Sequence, residues 1–147
     1  MFLIVNKIIY MFLFNKKKIQ KISFEDMQYV VLHPNQYILI NTLAVDEQNV
    51  LIPSTLPCSK EEEVLNELLN NYEIDKKTII IYGKNTNDDT VENKYNQIIK
   101  LGFTRVYMYN GGIFEWLLLQ DIYGNNEFPT TTYCRDILHF RPKPIIF

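Results

Sequence analysis

The 147-residue chain holds few side chains suited to covalent or metal chemistry: two cysteines, Cys58 and Cys134, and two histidines, His33 and His139. A reactive thiol must ionise, which a helix N-terminus or a neighbouring cation favours. Cys58, in Leu56-Pro57-Cys58-Ser59-Lys60, stands just before a predicted helix with no His or Arg nearby in sequence, and Cys134 adjoins Arg135. Cys58 is read as a small apolar residue, and Cys134 is not expected to be a reactive thiol. His33 before Pro34 and His139 near the end are read as surface or packing residues. Four such side chains, this scattered, do not make a structural zinc site. No Gly-rich phosphate loop, paired metal carboxylates or Gly-x-Ser-x-Gly elbow occurs, so neither a metal nor another cofactor is expected. One polar stretch remains: Gly83-Lys84-Asn85-Thr86-Asn87-Asp88-Asp89-Thr90, which follows an apolar run.

The elements around that stretch set where it must lie. Residues 37–40 and 78–82 are apolar on both faces, as buried parallel strands are. Ser23 and Asp26 are spaced as a capping box for a helix reaching about Leu32, which His33-Pro34-Asn35 ends. Val64, Leu65, Leu68, Leu69 and Tyr72 recur at helical spacing and predict a helix over 61–72. A third helix is expected from Asp89, with Asp89 to Glu92 as its capping box, to Leu101, closed by Gly102. A strand over 105–109, a Gly111-Gly112 turn and a helix over 113–120 follow. Tyr107-Met108-Tyr109 is read as a buried strand and not as a base-stacking platform. Strands alternating with helices argue an α/β domain with a mainly parallel sheet.

Composition narrows the function. Fifteen basic and seventeen acidic residues give −2, which argues against a nucleic-acid partner or a polybasic membrane patch. Two cysteines fit a reducing, cytoplasmic setting. The abundance of Ile (19), Asn (15) and Lys (12) with a single Ala44 suggests an A/T-rich genome, as of a parasite or large DNA virus, which would mean host cytoplasm or virion. The apolar residues 1–14 are broken by Asn6 and Lys7 and fall short of the roughly 20 that span a bilayer. They are expected to pack on the domain as strand; a short anchor, or a start at Met11, is the alternative.

Several stretches, in this order, resemble the rhodanese family. Ile22 to Asp26 resembles its opening strand and helix, and Leu39-Ile40-Asn41-Thr42-Leu43 stands where it has Leu-Ile-Asp-Val-Arg. Leu51-Ile52-Pro53-Ser54-Thr55 is similar to its His-Ile-Pro-Gly-Ala motif. Gly102 to Tyr107 resembles its late Gly-Phe…Val-Tyr strand, and Gly111-Gly112-Ile113-Phe114-Glu115-Trp116 its Gly-Gly…Glu-Trp turn. The resemblance implies a three-layer α/β domain over residues 19–124, preceded by the apolar extension 1–18 and followed by an extended tail 125–147. It also implies a cysteine directly after the central strand, where this chain has Gly83. Glycine carries no sulfur, so the family's covalent step lacks its nucleophile. The family's Asp and Arg are replaced by Asn41 and Leu43, and Asp88 and Asp89 would repel an anionic substrate. The expectation is a catalytically inactive domain that binds another protein, regulates or serves a structural role. The alternative is a sulfurtransferase or thiol-redox protein using Cys58 or Cys134.

Overall fold

The computed structural model describes residues 4–7 and 18–147. Four strands, β1 (Lys21–Ile22), β2 (Tyr37–Asn41), β3 (Thr78–Tyr82) and β4 (Val106–Tyr109), form one sheet in the order β1-β4-β3-β2, every pair parallel. The helices of the domain are α1 (Phe24–Leu32), α2 (Cys58–Asn70), α3 (Asp89–Lys100) and α4 (Gly112–Tyr123). Short 3-10 turns cover Val45–Glu47 and Ile137–Phe140.

Alternation along the strands divides the core into two layers, because successive side chains leave a strand on opposite faces. Leu39, Ile80, Tyr82 and Tyr109 face one way, onto Met27 and Val30 of α1 and Ile113, Trp116 and Leu117 of α4. Ile38, Ile40, Ile79, Ile81, Val106 and Met108 face the other, onto Leu65 of α2 and Val91, Tyr95 and Ile98 of α3. The result is the expected three-layer α/β domain, with β3 at the middle of the sheet and all five of its residues buried.

Most of the expected boundaries hold, and the exceptions have local causes. Ser23 and Asp26 form the reciprocal capping box of α1, and His33 caps its end. The second helix begins earlier than expected, at Cys58, because Pro57 supplies the fixed φ of a helix start. It ends before Tyr72, whose φ of 56° turns the chain and leaves its ring 92% exposed instead of on the apolar face. Glu73 N–H then reaches back to Leu68 O at 2.8 Å, which closes the helix end. The cap of α3 is Asp88 and not Asp89: Asp88 accepts from Thr90 N, so the expected box starting at Asp89 is not formed.

Of the apolar extension 1–18, residues 4–7 are a helical turn, with Ile4 and Val5 exposed, so no strand forms there. The expectation for residues 1–3 and 8–17 lies outside the described residues. No described helix is long and apolar enough to cross a membrane. The tail after α4 returns over the domain: Phe128 and Phe140 are buried among the α1 and α4 side chains, and Thr131 N–H donates to Leu51 O at 2.8 Å.

Candidate functional site

The loop between β3 and α3 begins at Gly83, which is buried at the end of the central strand. Its backbone is held from two sides. Thr42 N–H donates to Tyr82 O at 3.0 Å, which continues the β2–β3 ladder. From the other side, Ile113 N–H donates to Gly83 O at 2.9 Å and Phe114 N–H to Lys84 O at 3.0 Å, so the first turn of α4 grips the loop carbonyls. That approach requires a residue without a Cβ at 112. Gly112 has a φ of 66°, and a Cβ there would lie 2.6 Å from Gly83 O and 2.9 Å from Asn85 N. The Gly-Gly…Glu-Trp turn is thus a joint for the loop. Glu115 accepts from the Tyr109 hydroxyl at 2.8 Å. Trp116, fully buried, donates its indole N–H to Pro129 O at 2.8 Å. Burial, then the bond to Glu115, pushes the Tyr109 phenol well above its usual range.

The space over Gly83 is already filled. A Cβ built there would collide with Val91 Cγ2 and sit 2.5 Å from Asp88 Oδ2 and 2.7 Å from Thr42 Oγ1. Asp88 owes its place to its hydrogen bonds. Its Oδ2 accepts from Lys84 N at 2.9 Å, and its Oδ1 accepts from Thr90 N at 3.0 Å and from the Thr90 hydroxyl. Two backbone N–H groups bracketing the loop therefore point at an internal carboxylate. Thr90 and Thr42 hydroxyls meet at 2.8 Å, joining α3 to the segment after β2. Asn85, almost fully buried, accepts from Asn87 N at 2.9 Å and donates to Phe140 O at 3.0 Å. Lys84 Nζ pairs with Glu47 Oε2 at 2.7 Å, and His139 Nε2 lies 2.9 Å from the same oxygen.

These contacts border an open cleft of about 770 Å³ between the loop, the segment from Thr42 to Glu47 and the tail. Glu47 and the tail's share of the cleft, His139, Arg141 and Lys143, escaped sequence reasoning. No local pattern signals them, since His139 meets Glu47 across 92 positions and Phe140 meets Asn85 across 55.

The other candidates separate. Asn41 is buried, with Oδ1 accepting from Leu43 N at 3.1 Å and Nδ2 3.8 Å from Cys58 Sγ, while the Leu43 side chain lies in the apolar core. Cys58 is exposed at the start of α2, lining a second, polar cleft between α2 and α3. The two clefts share Thr42, Leu43 and Thr90, so Cys58 is nearer the loop than its chain connection suggests. Cys134 is half-buried in the tail, and burial pushes its thiol up, away from thiolate character. His33 donates its Nδ1–H to Tyr29 O at 2.7 Å and stacks on the Tyr29 ring, a packing role. Among the described residues no group of three or more His, Cys, Asp and Glu side chains is arranged to hold a metal ion.

The family model of the rhodanese-like domain matches residues 44–119, which contain both the loop and the joint that holds it. The chain belongs to the rhodanese-like domain family. Solved rhodanese-fold structures agree at the level of fold. A Bacillus halodurans protein is 20% identical with a TM-score of 0.56, covering 81% of this chain and 82% of its own. A single-domain sulfurtransferase of Saccharomyces cerevisiae is 17% identical with a TM-score of 0.51, covering 75% and 98%. A yeast protein tyrosine phosphatase of the rhodanese family is 14% identical with a TM-score of 0.55, covering 82% and 96%. No curated protein matches. The family match begins after β2, so the opening motifs of this rhodanese-like domain are carried by fold likeness and not by the sequence match.

Proposed function

We propose that this rhodanese-like domain is catalytically silent and serves as a protein-binding, regulatory or structural module. The observation that carries this reading is the filled space over Gly83. The residue has no nucleophilic atom, and Asp88, Thr42 and Val91 leave no room for a Cβ. Sulfur transfer and phosphate-ester cleavage through a covalent intermediate both need a nucleophile at the loop and donors free to hold an anion. Here the Lys84 and Thr90 N–H groups already bind a carboxylate. The balanced composition, −2 overall, supports a protein partner over a nucleic acid.

The test is sulfur transfer from thiosulfate to cyanide, releasing thiocyanate and sulfite, by the parent and by a Cys58→Ala/Cys134→Ala double variant. The expected rate for both equals that of boiled protein. Turnover lost with Cys58 would replace this reading with a thiol-dependent transferase, and turnover surviving both substitutions would point to different chemistry.

A further inference from the structure

We propose that the cleft over the degenerate loop is a docking groove for an extended peptide in which carboxylates alternate with apolar side chains. The proposal rests on the binding-module reading above and names the partner chemistry of that same site.

The charges in the cleft are not equivalent. Lys84, Arg141 and Lys143 face Glu47 and Asp88 there, three cations against two carboxylates, in a chain that is −2 as a whole. Both carboxylates are already engaged: Glu47 with Lys84 and His139, Asp88 with the Lys84 and Thr90 N–H groups. Arg141 and Lys143 are in no ion pair among the described residues. Among the described residues the Arg141 guanidinium donates to Leu138 O alone, at 2.7 Å. The surplus is therefore positive and sits on the tail wall.

The geometry selects a peptide over a small anion. A small anion needs donors that converge on one point, and the Lys84 and Thr90 N–H groups are already taken by Asp88. Arg141 and Lys143 are instead strung along the chain that leaves the 3-10 turn, Arg141 in an extended conformation with φ −63° and ψ 154°. Pro142 between them does not line the cleft, whereas Pro144 and Ile145 do, as do Leu43 and Ala44. Ile145 is 88% exposed, an apolar contact waiting beside two cations. The wall is anchored at its start, where Phe140 is buried and Asn85 holds its carbonyl. Arg141 and Lys143, two residues apart on the extended chain, match carboxylates two residues apart in an extended peptide, and Pro144 and Ile145 beside them supply the apolar contact.

The experiment uses the full chain and a fluorescent hexapeptide of alternating glutamate and leucine. Polarisation at about 50 mM salt should report binding that weakens at least tenfold in an Arg141→Glu/Lys143→Glu variant and again at 0.5 M salt, as screened ion pairs do. The lysine–leucine hexapeptide should not bind. A Lys60→Glu/Lys76→Glu variant, which reverses two cations outside the cleft, should bind as the parent does. Backbone amide shifts during titration should concentrate at Leu43, Lys84, Asn85 and residues 139–145. No binding of the acidic peptide, equal loss in the remote variant, or shifts centred elsewhere would overturn the proposal. Each of those results leaves the sulfur-transfer test untouched, so the two readings fail separately.

Discussion

Introducing a thiol at Gly83 tests most directly whether the loop is closed. Gly83→Cys would place a Cβ in collision with Val91 Cγ2, 2.5 Å from Asp88 Oδ2 and 2.7 Å from Thr42 Oγ1. Asp88 can swing away only by giving up its bonds to Lys84 N and Thr90 N, while Val91 is held in the α3 core. Overpacking of a filled site costs about 1–3 kcal/mol, and losing the cap adds about 1 kcal/mol. The sum, roughly 2–4 kcal/mol, is a large part of the about 5–15 kcal/mol that holds a domain folded. At about 2–4 °C per kcal/mol for a chain of this size, the melting temperature should fall by roughly 4–16 °C. The new thiol would also face the Asp88 carboxylate, and a like charge disfavours the thiolate. Thermal unfolding by circular dichroism, iodoacetamide labelling at pH 7 read by mass spectrometry, and thiocyanate release together measure the outcome. An unchanged melting temperature with fast labelling and turnover would falsify the view that the loop is closed.

Asp88→Ala should lose about 1–2 kcal/mol, since it removes a cap and leaves Lys84 N and Thr90 N without their acceptor, whereas Asp88→Asn should keep most of the stability; urea unfolding distinguishes them. Ser54, at the glycine position of the resembled His-Ile-Pro-Gly-Ala motif, has a φ of 66°, so Ser54→Gly should stabilise by about 0.5–1 kcal/mol and Ser54→Val should destabilise. An equal melting temperature for all three Ser54 forms would contradict the strain. Trp116→Ala should cost about 3–5 kcal/mol, and the parent's tryptophan emission should be blue-shifted, with water-like emission as the refuting result. Burial raises the Tyr82 phenol, and burial with the Glu115 bond raises that of Tyr109, so both stay protonated in the fold when the unfolded chain ionises near 10.0. The unfolded state then binds fewer protons, and stability should be intact below pH 10 and fall as pH rises beyond it, less steeply in Tyr109→Phe.

What the sequence disclosed and what it hid divide along chain distance. Strands with apolar residues on both faces, the Ser23–Asp26 box and the Gly111-Gly112 turn are local patterns, and each lies where its spacing implied. The absence of a nucleophile at position 83 is equally local. Two misplacements were single-residue matters that backbone geometry decides, Asp88 over Asp89 as cap and Tyr72 turned out of α2 by a left-handed φ, while the earlier start of α2 and the helical turn at residues 4–7 in place of strand were larger. That Asp88 fills the space above Gly83, and does not merely repel an anion, depends on where Val91 and Thr42 come to rest. The tail was the least legible part, because Phe140 and His139 reach the loop through contacts without any periodic signal.

The joint between α4 and the loop separates what selection on folding preserves from what selection on chemistry preserves. Any side chain at position 112 would strike the backbone of Gly83 and Asn85, so the glycine is required for the domain to close at all, whether or not position 83 does chemistry. The side chains of the loop carry no such constraint from the joint, because Ile113 and Phe114 bond only its backbone carbonyls. The most recognisable signature of the fold therefore reports on how the domain closes and not on what position 83 does. Sorting active from silent members calls for inspecting one residue and the room above it.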